Sequence, residues 1–98
     1  MNLNQKLTQV IKGRTVQDLQ INASEVSMRF ADGSTMQVKV MESISPPLKN
    51  GATVHAVRQQ LASLTISCED ESQLTVTLAD PGSSVVVLDA NGVIEYKG

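Results

Sequence analysis

Cys68 and His55 are the one cysteine and the one histidine of this 98-residue sequence, and together they could form a catalytic dyad. A thiol becomes a strong nucleophile when a nearby base takes its proton, and imidazole is the usual base. Cys68, however, ends an alternating segment at an apolar position, where a free cysteine behaves as a small hydrophobe. His55 lies between apolar positions. We therefore predict a core thiol and a surface imidazole, and we assign no catalytic residue.

Carboxylates are the next groups that could do chemistry, because their oxygens bind Ca²⁺ or Mg²⁺. The densest cluster is Glu69-Asp70-Glu71, but consecutive side chains diverge on a strand and no calcium-loop spacing surrounds them. Asp89-Ala90-Asn91-Gly92 has the composition of a turn. A single histidine and a single cysteine also argue against a zinc site within one chain. We therefore assign no metal-ligating residue.

Nucleotide cofactors and nucleic acids are bound by patterns that this sequence lacks. Neither G-x-G-x-x-G nor a P-loop is present, so we predict no cofactor and assign no cofactor-binding residue. Five basic residues could form a patch across helix and sheet: Lys6, Lys12, Arg14, Arg29 and Lys39. Single-stranded nucleic acids are also bound by aromatic stacking platforms, and Phe30 and Tyr96 are the only aromatic residues. Nucleic acid is therefore the least favoured partner.

Length and composition predict one small domain, residues 1–98, with an aliphatic core. The N-terminal segment has no continuous apolar stretch, and no segment has the length of a membrane span. We therefore expect a soluble cytoplasmic protein with no membrane partner. Residues 1–49 hold six basic and four acidic side chains, whereas residues 50–98 hold two basic and six acidic ones. Such a division could steer self-association, although a solvated surface is the simpler interpretation.

Residues 3–12 have the apolar spacing of a short helix. Leu3, Leu7, Val10 and Ile11 would share one face. Asn2 is the expected N-cap and Gly13 the left-handed residue after the helix. A helix this short is marginal by itself, so it must pack on an apolar surface.

From Gly13 onward the apolar residues alternate, and RFADGSTMQVKV (29–40) predicts the turn and outgoing strand of a hairpin. Opposed residues share a face, so an odd loop is required. A three-residue loop, 31–33, pairs Met28 with Met36 and places Gly33 at a left-handed position. Core packing is therefore favoured over an adaptable methionine surface that would include Met41.

The sequence repeats this pattern after 38 residues, because residues 13–40 align without gaps on residues 51–78. Both segments carry apolar residues three apart, Val16 and Leu19 in the first, which predicts a bulge or a strand end. The second segment has Glu71 where the first has Gly33, so its loop should be longer or strained. An alternative alignment of FADGS with LADPGS needs two gaps and ranks second.

Two further segments complete the domain. Residues 43–50 contain two prolines and are the predicted connector between the repeats. Residues 84–96 predict a C-terminal hairpin with four apolar residues on one face: Val86, Leu88, Ile94 and Tyr96. The strand 84–88 carries no charge, so we predict that it is central in the fold or pairs with a partner strand.

These elements predict a mainly β fold of the α+β class. It would contain a short N-terminal helix and about eight antiparallel strands in a sandwich or a partly open barrel, built from two similar three-strand units and a C-terminal hairpin.

The scarcity of catalytic groups favours a non-enzymatic protein-interaction or structural module that binds itself, as a homo-oligomer, or another protein. The alternative is a small-ligand-binding protein or an enzyme with a site between the repeats, and nucleic-acid binding comes third.

Overall fold

The computed structural model of the chain describes residues 2–43, 48–80 and 82–98. The described residues form one helix and nine strands, so the predicted mainly β fold is confirmed. The elements are β1 (Asn2–Leu3), α1 (Gln5–Ile11), β2 (Val16–Ile21), β3 (Glu25–Phe30), β4 (Thr35–Ser43), β5 (Val54–Gln60), β6 (Ser63–Cys68), β7 (Gln73–Leu78), β8 (Val85–Leu88) and β9 (Ile94–Lys97).

The strands form one antiparallel sheet in the order β1-β5-β6-β7-β4-β3-β2, which is not closed into a barrel. The long strand β4 has β3 along one edge and two strands along the other. Its residues 35–38 pair with β8 and its residues 40–43 pair with β7. β8 also pairs with β9, so the strand that the sequence predicts as central or partner-bound is central. We call β2–β4 the first unit and β5–β7 the second unit.

The hairpin of β3 and β4 has the predicted register. Met28 faces Met36 and Val26 faces Val38. Phe30 N donates to Ser34 O at 2.9 Å, which leaves the three residues 31–33 as the loop. These methionines are buried, whereas Met41 is 69% exposed on β4.

The hairpin of β6 and β7 has a loop of the same length. Ile66 faces Leu74, and Cys68 N donates to Ser72 O at 2.9 Å. Gly33 has φ of 90° in the first loop and Glu71 has φ of 71° in the second. The second loop is therefore strained rather than longer, because a Cβ atom is unfavourable in the left-handed region.

Both units have a bulge at the position that the apolar spacing predicts. The register of β2 against β3 shifts between Val16 and Asp18. The register of β5 against β6 shifts between Val54 and Ala56, which is 38 residues further along. A bulge adds one residue to one strand, so the alternation of buried side chains is interrupted there.

The two units meet through residues that are also 38 positions apart. Thr15 pairs with Thr53 in an isolated bridge. Thr15 O accepts from Ala31 N at 2.9 Å, and Thr53 O accepts from Glu69 N at 2.9 Å. The two threonines thus join the units just before β2 and β5. A shared origin of the two segments stays a prediction.

The core is shared between the units and the helix. The largest fully buried side chains include Phe30 from the first unit, Ile66 from the second, and Leu7 and Ile11 from α1. The helix is shorter than predicted, since it spans 5–11.

The predicted start of the helix is wrong. Asn4, not Asn2, caps the helix, and its Oδ1 accepts from Leu7 N at 3.0 Å. Leu3 belongs to β1 because residues 2 and 3 pair with the edge of β5 instead of continuing the helix. Gly13 follows the helix with φ of 86°, as predicted.

The predicted face of the C-terminal hairpin is also wrong. Val87 faces Met36 across β4, so Val85 and Val87 point into the core. Val86 and Leu88 are only half-buried, and Ile94 is exposed. A continuous apolar run does not reveal which alternate residues face inward, and here the neighbouring strand decides it.

Residues 44–47 of the predicted connector 43–50 lie outside the described residues. Leu48, which follows them, is buried in the core. Along the described chain, no helix has the length and apolar character needed to cross a membrane.

Candidate interaction surface

The outer edge of β2 is unpaired within the part of the chain that the structure describes. Over the described ranges, β2 pairs with β3 on one side and with no strand on the other, apart from the bridge at Thr15 that precedes it. Asn22 N donates to Glu25 O at 3.0 Å at the end of this hairpin. Bonding direction alternates along an antiparallel strand, so Gln20 also bonds to β3, whereas the N–H and C=O groups of Leu19 and Ile21 point away from it.

The equivalent edge of β5 is closed by the N-terminal residues of the same chain. Val57 corresponds to Leu19 at the 38-residue offset. Its carbonyl oxygen accepts from Asn4 N at 2.8 Å, and its N–H donates to Thr8 Oγ1 at 2.9 Å. The hydroxyl of Thr8 lies 3.2 Å from the same carbonyl, to which it donates. β1 continues the cover by pairing with Arg58 and Gln59. The outward groups of β5 are therefore satisfied internally.

Side chains at the β2 edge offer apolar contact and little charge. Leu19 is half-buried against the core, and Ile21 is 37% exposed. Asp18 is the single charged residue of the six in β2. Natural sheets protect open edges with charged residues, proline or bulges, and the bulge of β2 lies at its first residues, away from Leu19 and Ile21.

The outer strand β9 differs from β2 in these respects. Two of its four residues, Glu95 and Lys97, are charged. Glu95 forms an ion pair of 2.7 Å with Arg14, and α1 contacts the strand. Charged side chains and a neighbouring helix both discourage the addition of a strand. β2 is therefore the better candidate for an interaction edge.

A shallow depression of about 160 Å³ lies on the outward face of the first unit, beside this edge. Its polar lining consists of Asp18, Gln20, Ser27, Arg29, Thr35 and Gln37. Sites for drug-sized ligands are typically about 300–1,000 Å³, so this depression suits a side chain or a small polar group better than a whole cofactor. Its lining residues come from one unit and not from the space between the two.

Cys68 and His55 lie on paired strands, because Val54 faces Cys68 across β5 and β6, but their side chains differ in exposure. Cys68 is buried in the core, as predicted, and burial raises the pKa of its thiol, since the charged thiolate is poorly solvated there. His55 is exposed on β5. Burial and a raised pKa both favour the neutral thiol, which is the weaker nucleophile.

The carboxylate cluster lies at a turn. Asp70 Oδ1 accepts from Ser72 N at 2.9 Å and from the Ser72 hydroxyl. These hydrogen bonds lower the pKa of Asp70. Asp89 Oδ1 likewise accepts from the N–H groups of Asn91 and Val93 at 2.8 and 2.9 Å. Within the part of the chain that the structure describes, no three His, Cys, Asp or Glu side chains are grouped to hold a metal ion.

The basic residues lie on different elements of the fold. Lys6 and Lys12 lie on and just after α1, whereas Arg29 and Lys39 lie on β3 and β4. The side chain of Arg14 is only 17% exposed. This side chain belongs to the structure of the first unit rather than to a basic surface.

Arg14 joins three parts of the fold. Its Nη1 donates to Ser34 Oγ at 3.0 Å, and its Nη2 lies 2.7 Å from Glu95 Oε2. Its guanidinium carbon is 5.8 Å from the ring centroid of Phe30, within the range of a cation–π contact. Its Nε also lies 3.8 Å from Asp32 Oδ2. The sequence gives no signal for this role, since the four partners are 16 to 81 residues away.

No protein-family description, curated protein or solved structure matches this chain. Function is therefore inferred from the surface itself. The β2 edge was missed from the sequence, which instead indicated 84–88, because alternation reveals a strand but not its neighbours.

Proposed function

We propose that the protein is a non-enzymatic interaction module that binds an extended partner strand at the β2 edge. The observation that carries this proposal is the contrast between two equivalent residues. Val57 on β5 has its outward N–H and C=O groups bonded within the chain, whereas no described residue covers those of Leu19 on β2.

Strand addition explains how such an edge would bind. Backbone hydrogen bonds to the outward groups of Leu19 and Ile21 supply affinity, and contacts of alternate side chains supply specificity. On the core face, Leu19 and Ile21 would receive apolar side chains of the added strand. On the outward face, Asp18 and Gln20 place that strand beside the depression. The surface thus offers both apolar and polar contacts.

The alternative of a ligand or substrate site between the two units stays a prediction, as does a reducing, cytoplasmic compartment. The described depression lies on the first unit alone, and the interior between the units is filled by the shared core. Neither observation favours that alternative over strand addition.

Selection of peptides tests the proposal although the natural partner is unidentified. The protein is used to select binders from a displayed library of random heptapeptides. We expect the recovered peptides to have alternating apolar residues and to bind in extended form. Ile21→Lys should abolish their binding, because lysine on an edge strand opposes the addition of another strand.

Val93→Lys is the matched control, since Val93 is also an exposed β-branched residue, at 60%, but lies in the β8–β9 turn. It should leave peptide binding unchanged. The proposal is wrong if no peptide is selected at a protein concentration low enough to keep the wild type monomeric, or if Ile21→Lys and Val93→Lys bind the selected peptides equally well.

A further inference from the structure

We infer that the strand added to β2 is the β2 strand of a second copy, antiparallel and centred on Gln20. This inference rests on the proposed function and names its partner. In the resulting dimer the two first units would share one continuous sheet. The β5 edges of the two copies would take no part in this interface, because each is covered by its own N-terminal residues.

Hydrogen-bonding direction restricts the possible registers. Residues that direct their N–H and C=O groups outward must face residues that do the same. With Gln20 opposite Gln20 of the second copy, Leu19 faces Ile21 of the second copy and Ile21 faces Leu19. Both are outward-bonding residues, so each such pair exchanges two hydrogen bonds. The interface therefore contains four backbone hydrogen bonds without any change in β2.

Side-chain matching selects this register over its neighbours. Centred on Leu19, the pairing would place Ile21 opposite the polar Gln17. Centred on Ile21, it would place Leu19 opposite Ala23, which lies in the turn after β2. Centred on Gln20, both apolar residues face apolar residues. Aliphatic pairs across a sheet stabilise it, and here they would also join the two cores.

Charge and polarity are compatible with the same pairing. Asp18 would face Asn22 of the second copy, whose Oδ1 already accepts from Ser24 N and Glu25 N at 3.0 and 2.8 Å. The amide N–H groups of Asn22 are then the part left to donate to the carboxylate of Asp18. No like charges face each other, and the net charge of −2 gives little overall repulsion between copies.

The two-fold arrangement also explains why the copies should form a closed dimer and not an open-ended sheet of many copies. An isologous pairing uses the β2 edge of both copies at once, so the assembly closes as a dimer. The corresponding β5 edge is already covered by β1, Asn4 and Thr8, and cannot continue the sheet. A closed dimer with no exposed β2 edge is the expected product.

A charge exchange at position 20 tests both the partner and the register. Light scattering after size exclusion should give the wild type about twice the monomer mass at high protein concentration. Gln20→Lys and Gln20→Glu each place like charges opposite each other, so each should weaken the dimer about tenfold or more. An equal mixture of the two variants should restore the dimer, because opposite charges then face each other.

Gln9→Lys is the matched control, since Gln9 is also an exposed glutamine but lies on α1, which packs on β5. It should leave the dimer unchanged. Gln20→Cys supplies a second readout that does not depend on affinity. Residues in a facing non-hydrogen-bonded pair are close enough for a disulfide, so oxidation should join two copies, while the buried Cys68 stays reduced.

Three outcomes would overturn the inference: a wild type that stays monomeric at millimolar concentration, a dimer that Gln20→Lys does not weaken, or a mixture of charge variants that does not reassociate. None of these outcomes decides the proposed function. If the selected peptides still bind wild type and fail to bind Ile21→Lys, the β2 edge binds a strand from another protein.

Discussion

The first and second units have the same hairpin and differ at their edges and turns. Each contains a bulged first strand and a three-residue loop between its second and third strands. In each loop an aspartate, Asp32 or Asp70, accepts from the backbone N–H and the hydroxyl of a serine two residues later. Local sequence is sufficient for these shared features, since they recur in two different surroundings.

The differences arise from contacts with the rest of the chain. The N-terminal segment covers β5 and leaves β2 open. Arg14 in the first unit corresponds to the buried Ala52 in the second, and Phe30 corresponds to Cys68. The edge of β5 is therefore bonded within the chain, whereas the edge of β2 is paired with no described strand.

Truncation of Phe30 and Cys68, which occupy equivalent positions, should have unequal effects. Both side chains are buried, but Phe30 is far larger and lies under the guanidinium of Arg14. Phe30→Ala should lower the free energy of unfolding by about 3–5 kcal/mol. Cys68→Ala should lower it by about 1 kcal/mol. Urea unfolding followed by circular dichroism measures both, and equal losses would show that the two positions contribute equally to the core.

Opening the covered edge of β5 should cost less than truncating Phe30. Thr8→Val keeps the shape of the side chain but removes the acceptor for Val57 N, which is then left without a partner. The free energy of unfolding should fall by about 1–3 kcal/mol. Thr35→Val is the control, because Thr35 lies on the outward face beside the depression. An unchanged stability of Thr8→Val would mean that this bond does not hold the edge closed.

Exchanging the turn residues should shift stability in opposite directions. Glu71→Gly relieves a left-handed residue that carries a Cβ atom, so the free energy of unfolding should rise by about 0.5–1 kcal/mol. Gly33→Ala introduces that strain and places a Cβ atom 3.2 Å from Ala90 Cβ. Its stability should fall by about 1–2 kcal/mol. The midpoint of thermal unfolding should rise for Glu71→Gly and fall for Gly33→Ala. Midpoints that move in the same direction would show that a Cβ atom at this left-handed position is not what strains the loop.

The smallest expected effect is on the acid titration of Asp32 and Asp70, which occupy equivalent positions in the two loops. Hydrogen bonds from Ser34 and Ser72 lower the pKa of Asp32 and Asp70 below the ordinary value of 3.8. Folding therefore favours the ionised forms. The stabilisation is present above the ordinary pKa and is lost as the pH falls through the lowered values.

Ser72→Ala should return the pKa of Asp70 towards its ordinary value and leave that of Asp32 unchanged. Carboxyl chemical shifts followed by NMR between pH 2 and 6 (roughly the range of acid titration) measure both groups in one sample. Identical titration of Asp70 in the variant and the wild type would show that Ser72 does not lower its pKa.

Much of the fold was predictable from local pattern. Alternation with an odd loop gave the pairing of Met28 with Met36, and apolar residues three apart gave both bulges. The helix start was not predictable, because Asn2 and Asn4 are both capable N-caps. Pairing of residues 2 and 3 with β5 decided between them. The inward face of VVVL (85–88) was decided by β4 for the same reason.

The candidate surface was the least predictable part. Nothing in VQDLQI (16–21) distinguishes it as an edge strand, and nothing in its equivalent, VHAVRQ (54–59), predicts its cover. The cover is provided by Asn4 and Thr8, about 50 residues earlier in the chain.

By itself, the order of amino acids determined the long strands and the residues that face each other in the β3–β4 and β6–β7 hairpins. These depend on side-chain alternation and backbone conformation over a few neighbouring residues. Which edge is covered, where Arg14 finds its partners and which side of β8 is buried depend on segments far apart in the chain. Only the folded chain brings those segments into contact, so only the tertiary structure decided that β5 is closed and β2 is open.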